Sequence, residues 1–272
     1  MTTAVRTARR ALLLGGALLP FLPRAARAAG EEIRVLTSGG LTAAYRVLGP
    51  QFERATGHRL ITAQGASMGA APDAIPQRLG RGEPADVLLL AAEGLEALAA
   101  RGLAQPGSRV DIARSLIGMA VREGAPKPDI STVDRFRAVL LNAGSIAYSA
   151  SASGVYIEDE MFRALGIHDQ VMPKARRIYS ERVAAVVARG EAEVGFQQVS
   201  EILPIPGATF AGTIPEEVQR ATVFSAGLAA NARQAEAGRA LIRFLASAEA
   251  APAIAETGME PLATAGAGRA RG

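Results

Sequence analysis

Ile33-Arg34-Val35-Leu36-Thr37-Ser38-Gly39-Gly40-Leu41-Thr42-Ala43-Ala44 reads as a strand, a small-residue turn and a helix start in direct succession, and it decides the fold. Ile33 to Leu36 is short and apolar, with the β-branched content a strand favours. After the turn, Leu41, Ala44, Tyr45, Leu48, Phe52 and Ala55 recur at helical spacing, and Gly57 supplies the stop. Gly49-Pro50 inside that helix predicts a kink. Small residues between a strand end and a helix start leave backbone N–H groups uncovered, where the helix dipole attracts an anion.

The same syntax recurs along the chain. Turns at Gly65 to Gly69, Ser149 to Gly154 and Ser180-Glu181 each follow an apolar or alternating segment and precede a helical one. Ala85-Asp86-Val87-Leu88-Leu89-Leu90 is a continuous apolar run apart from one acid, which suits a strand buried on both faces. Strands alternating with helices argue for an α/β fold with right-handed crossovers. Arg81-Gly82-Glu83-Pro84 and Arg189-Gly190-Glu191-Ala192 echo each other, both closing a helix and opening a strand, so two similar lobes are expected. The boundaries predicted are 29–115 plus 229–272 for the first lobe and 116–228 for the second. Each would be a mainly parallel sheet flanked by helices, with ligand at the strand ends between them.

The first 28 residues stand apart. Arg6, Arg9 and Arg10, the apolar run from Ala11 to Leu22 and the small-x-small site Ala26-Arg27-Ala28 read as an export signal cleaved after Ala28. The Arg9-Arg10 pair leaves open a twin-arginine or a general secretory route. Of the 30 Lys and Arg residues in the chain, five lie in this segment with no acid, leaving 25 basic against 26 acidic residues once it is removed. The basic balance therefore belongs to the signal, and nucleic acid or an anionic membrane is not an expected partner. With no Trp and 4% aromatic residues, stacking on bases is also excluded. No later run approaches the roughly 20 apolar residues of a membrane span, so a periplasmic, uninserted protein is expected.

Catalytic templates are largely absent. There is no cysteine, no clustered His and carboxylate spacing for a metal, no Gly-x-Ser-x-Gly elbow and no phosphate loop, so neither a metal nor a cofactor is implied. What remains are the four turns. They offer Ser38, Gly39 and Gly40, then Ser67 and Met68, then Ser153, Gly154 and Tyr156, then Tyr179, Ser180, Glu181 and Arg182. Any one alone is an ordinary helix cap; four at one cleft would form an anion site. Arg182 and Arg78 match a carboxylate bidentately or sit on solvated helix faces. Glu181 either compensates a helix dipole or, facing a closing cleft, serves as a general base.

From Glu32 to about Leu262 the chain resembles the periplasmic molybdate-binding proteins, a branch of the type II extracellular solute-binding proteins that serve ABC importers. The matching phrases are Leu41-Thr42-Ala43-Ala44, Phe52-Glu53-Arg54-Ala55-Thr56-Gly57 and Gly82-Glu83-Pro84-Ala85-Asp86-Val87. Ser153-Gly154-Val155-Tyr156, Arg189 to Phe196, Phe244-Leu245 and Gly258-Met259-Glu260-Pro261 complete the set. The resemblance implies the two-lobed type II binding fold and an oxyanion pocket of serines, backbone N–H groups and a tyrosine. Carried over by position, the second-turn serine is Ser67 and the third-turn position falls near Ser153. The first-turn serine is replaced by Gly40 and the tyrosine by Gln198, which weakens molybdate and reads as a roomier pocket for an organic anion.

Two functions follow. The leading expectation is a binding protein that closes over a small anion, an organic di- or tricarboxylate or an oxyanion, and passes it to an ABC permease. The alternative is a cofactor-independent isomerase, since some relatives that resemble this family are aconitate isomerases. In that case Glu181 or Tyr179 is the expected proton carrier, with Ser67, Ser153 and Arg182 holding carboxylates.

Overall fold

The computed structural model describes Met1, residues 30–179 and residues 181–262. The expected export signal, Met1 apart, and Ser180 lie outside the described residues. Eleven strands are present among them: β1 (Glu32–Thr37), β2 (Arg59–Gln64), β3 (Val87–Ala91), β4 (Val110–Ser115), β5 (Ile117–Arg122), β6 (Ile146–Ser149), β7 (Ala175–Ile178), β8 (Val194–Gln198), β9 (Ala208–Thr213), β10 (Thr222–Leu228) and β11 (Glu260–Pro261). They form two sheets, ordered β11-β4-β10-β3-β1-β2 and β7-β6-β8-β5-β9.

Each sheet is mixed. β1 pairs parallel with β2 and β3, and β6 pairs parallel with β7 and β8; these strands carry the expected βα syntax. The remaining pairs, β10 with β3 and β4, β11 with β4, and β5 with β8 and β9, are antiparallel. The mainly parallel character predicted from the alternation of elements thus holds for the strands that end at the cleft and not for the sheets as wholes. β4, β9 and β11 are additions that the sequence pattern did not signal.

Burial on both faces explains the continuous apolar run. Val87, Leu89 and Ala91 of β3 face one core with Ile33 and Val35, while Leu88 and Leu90 face another with Leu36 and Ile75. The second sheet repeats the arrangement, with Met119, Tyr148 and Phe196 on one side and Ala120, Ala147 and Val183 on the other. Helix α1 (Gly39–Thr56) covers the first sheet with Leu41, Tyr45, Leu48 and Phe52, and runs as one helix through Pro50. It ends on Gly57, whose φ of 80° places it in the left-handed region.

The chain crosses between the sheets twice. One crossing is the single residue between β4 and β5; the other lies between Thr213 and Thr222. β10 therefore belongs to the first sheet, and the boundary expected at Leu228 moves upstream of Thr222. The reason is pairing: Phe224 to Leu228 register against Ala91 to Val87 of β3. Gln219 ties the two crossings together, its Oε1 accepting from the Ile117 N–H at 2.9 Å and its Nε2 donating to the Ile117 carbonyl at 3.0 Å.

Asp86 fixes the start of β3. Its Oδ2 accepts from the Arg34 N–H at 2.8 Å, and its Oδ1 from the Arg233 and Gln234 N–H groups at 2.7 and 2.9 Å. One buried carboxylate thus joins β1, β3 and the C-terminal segment, which accounts physically for the acid directly ahead of an apolar strand.

Candidate functional site

The ends of β1, β2, β6, β7 and β8 converge on a cleft between the two sheets, a space of about 780 Å³ including its open mouth. From the first sheet it takes Ser38, Gly39, Gly40, Ser67 and Asp73, and from the second Ser149 to Ser153, Tyr179, Glu181, Arg182, Gln197, Gln198 and Glu201. Phe224 of β10 closes one side.

The strand–turn–helix at Ser38 carries much of the geometry. The Ser38 N–H donates to the Leu89 carbonyl at 2.7 Å, locking the turn to β3, and the Thr42 hydroxyl donates back to the Ser38 carbonyl at 3.0 Å. The Ser38 hydroxyl itself is 1% exposed and has no partner. Two glycines follow because each β-carbon position is taken. A β-carbon on Gly39 would stand 1.8 Å from Glu201 Oε1, and one on Gly40 would stand 2.1 Å from Phe224 Cζ. The expectation that Gly40 leaves a roomier pocket is therefore corrected, since the Phe224 ring fills the space. Behind the cleft wall, the fully buried Ser200 Oγ donates to the Gly40 carbonyl at 2.8 Å, joining the two halves of the molecule.

Polar atoms without partners gather here. Ser38 Oγ, Asp73 Oδ1, Arg182 Nη1 and Gln198 Oε1 are all buried, without a hydrogen-bond partner and on the cleft wall. Such groups are costly in an apolar interior. Ser67 Oγ accepts from the Ala91 N–H at 3.0 Å, which leaves its proton to donate. Ser149 and Ser153 hydroxyls lie 3.2 Å apart, and the Gln198 amide donates to the Thr222 hydroxyl at 2.9 Å.

Glu201, which sequence reasoning missed, is the buried acid of the cleft. Its Oε1 lies 3.6 Å from Arg182 Nη1, within ion-pair range and beyond a hydrogen bond. Burial pushes its carboxyl above the usual range, against the opposing pull of Arg182, the Gln198 backbone and the Gln197 side chain. Its only signal in the sequence is negative: an acid that, Ser200 apart, stands among apolar residues from Val199 to Pro204.

Of the expected site residues, Ser38, Gly39, Gly40, Ser67, Ser153, Tyr179, Glu181, Arg182 and Gln198 line this cleft. Met68 and Tyr156 line a neighbouring one with Glu160 and Arg220. Tyr156 points there because its hydroxyl donates to the Val218 carbonyl at 2.8 Å and Arg220 lies over its ring at 4.3 Å. Gly154 sits outside the cleft lining; a β-carbon on it would strike the Ser149 carbonyl at 1.5 Å, so close backbone packing is its role. Arg78 also turns away, pairing with Glu83 at 2.6 Å. Glu181 lies at the mouth, half-exposed and paired with Arg189 at 2.9 Å, and Tyr179 is 57% exposed. Among the described residues no group of His, Cys, Asp and Glu is placed to hold a metal ion, and no helix is long and apolar enough to cross a membrane.

Comparison with known proteins agrees with this architecture. The family described as bacterial extracellular solute-binding protein matches residues 33–260. A protein of Pseudomonas sp named aconitate isomerase is 46% identical over 251 residues, covering 92% of this chain and 96% of its own. Among solved structures, the periplasmic molybdate-binding protein of Azotobacter vinelandii superposes with a TM-score of 0.67 at 21% identity, covering 84% of this chain and 98% of that one. The sulfate-binding protein SubI of Mycobacterium tuberculosis H37Rv gives a TM-score of 0.68 at 18% identity, covering 85% and 87%. At these identities the two structures speak to the fold alone.

Proposed function

This chain belongs to the bacterial extracellular solute-binding protein family, and from that premise we propose that it is an isomerase built on the binding scaffold. Its substrate is an unsaturated tricarboxylate, and its reaction the proton shift that interconverts trans- and cis-aconitate. The observation that carries the reading is the set of buried, unpartnered polar atoms on one cleft, with an arginine among them and an acid beside it. An oxyanion carrier needs donors alone, whereas this cleft sets a carboxylate among its donors. The near full-length 46% identity to a named aconitate isomerase supports the same choice.

In this reading Arg182 takes one carboxylate of the substrate, and the Ser38, Ser67 and Ser153 hydroxyls take the others. Charge that develops on a carboxylate during the proton shift is met by donors already in place, so little reorganisation is required. Burial between the two sheets strengthens each of these contacts. No cofactor is needed, because the reaction moves a proton and no electrons change hands. Export to the periplasm through the N-terminal segment belongs to the same proposal.

Incubation of the purified protein with trans-aconitate, followed by proton NMR, tests it. Appearance of cis-aconitate at a rate proportional to protein is expected. Tight binding in calorimetry with no conversion would instead favour the second reading, a carrier that closes over a small anion and delivers it to an ABC permease. That alternative is favoured by the two crossings between the sheets, the arrangement in which two lobes close over a ligand by hinge motion.

A further inference from the structure

We infer that Glu201 is the proton carrier of this cleft: a single buried carboxylate that takes a proton from one carbon of a bound unsaturated tricarboxylate and returns it to another. This deepens the proposed isomerase reading and rests on it.

Three acids and one phenol line the cleft: Asp73, Glu181, Glu201 and Tyr179. Glu181 is held by Arg189 at 2.9 Å in a half-exposed pair at the mouth, and Tyr179 is open to solvent. Water competes at both positions. Glu201 lies deeper, its side chain 12% exposed, with Oε1 against the backbone of Gly39 at the start of α1. Gly39 has to be glycine for this: any β-carbon would displace the carboxylate. The turn that opens the fold is therefore shaped around Glu201 as well as around a ligand.

The neighbours of Glu201 suit a base that must gain and lose a proton. Arg182 Nη1 at 3.6 Å is close enough to favour the anion yet makes no hydrogen bond to it, which leaves the Nη1 donor for a substrate carboxylate. Burial raises the carboxyl toward neutrality, where a proton-transfer group works best. The step balances without any co-reactant. The Glu201 carboxylate removes a proton from the saturated CH₂ carbon, and the C–H electron pair becomes the new C=C. The former π pair forms a C–H bond at the far carbon of the allylic unit with the proton that Glu201 returns. Between the two transfers the negative charge rests on the conjugated carboxylate beside Arg182.

Glu201→Gln keeps the shape and removes the base. With trans-aconitate, its kcat is expected to fall by at least about 100-fold, the range for loss of a general base, while affinity in calorimetry stays within about tenfold. Glu83→Gln, at an acid that pairs with Arg78 away from the cleft, is expected to keep kcat within about tenfold of the unmodified protein. If Glu201→Gln turns over at a rate within tenfold of the parent, Glu201 is not the carrier and the isomerase reading stands. If the parent protein itself converts no aconitate, the isomerase reading fails and this assignment with it. Should the amide variant not fold, Glu201→Asp decides: a kcat loss of tenfold or more at an unchanged melting temperature supports the assignment, and an unchanged kcat overturns it.

Discussion

The Phe224 ring stands where a β-carbon on Gly40 would have to be, with Cζ 2.1 Å and Cε1 2.5 Å from that position. Phe224 is itself 3% exposed and packed in the core of the first sheet, so the ring cannot swing away freely. Gly40→Ser is therefore expected to destabilise the protein by about 1–3 kcal/mol, as overpacking does. At about 2–4 °C per kcal/mol for a chain of this size, the melting temperature should drop by several degrees. Adding Phe224→Leu should recover part of the loss. Independent, additive effects of the two changes would show that the ring is not the obstacle.

Arg182 is the cleft's cation, and its Nη1 is buried without a hydrogen-bonded partner. Arg182→Met keeps much of the side-chain volume and removes the donors. Charge-assisted hydrogen bonds contribute about 1.5–3 kcal/mol, so affinity for trans-aconitate in calorimetry is expected to weaken by about 10- to 100-fold. An unchanged dissociation constant would take Arg182 out of the ligand site.

The raised Glu201 carboxyl has a consequence for stability against pH. The folded protein holds that proton more firmly than the unfolded chain, whose glutamates titrate near about 4.3. Above that value, and up through the folded pKa, stability falls as pH rises, because the folded state binds more protons there. Glu201→Gln carries no charge at any pH. Its melting temperature relative to the parent should therefore be lowest in acid and climb as pH is raised from about 4 towards neutrality. A difference that is flat across this window would show that Glu201 titrates as an ordinary carboxylate.

Asp86 answers three backbone N–H groups at once. Asp86→Ala leaves all of them unpaired in a buried position, a loss of about 3 kcal/mol or more. Asp86→Asn, with one acceptor oxygen left, should fall between the two. Urea melts that rank the parent, Asn and Ala variants in that order are expected; equal midpoints for Asn and Ala would contradict the accounting of bonds.

The fold was legible where local syntax determines it. Ile33 to Ala44 announces strand, turn and helix by residue size alone, and Ala85 to Leu90 announces a strand with two buried faces. What stayed hidden was set by long-range partners. Thr222 to Leu228 alternates like any strand, and nothing local says that it pairs with β3 in the other half of the chain. Gly40 looked like a missing side chain because Phe224 is 184 positions away. Tyr156 was placed in the main cleft by its position at a helix start, but the carbonyl of Val218 turns it elsewhere. Glu201 lies within a four-residue helix too short to read, and its surroundings include Gly39 and Arg182 from two other segments.

Gln219 lends a different property to the molecule. Because a single side-chain amide is bonded to both the N–H and the carbonyl of Ile117, the two strands of chain that pass between the sheets are joined side by side. A displacement of one is therefore passed to the other through two hydrogen bonds. One glutamine outside the cleft lining thus makes the two connections between the sheets a single joint.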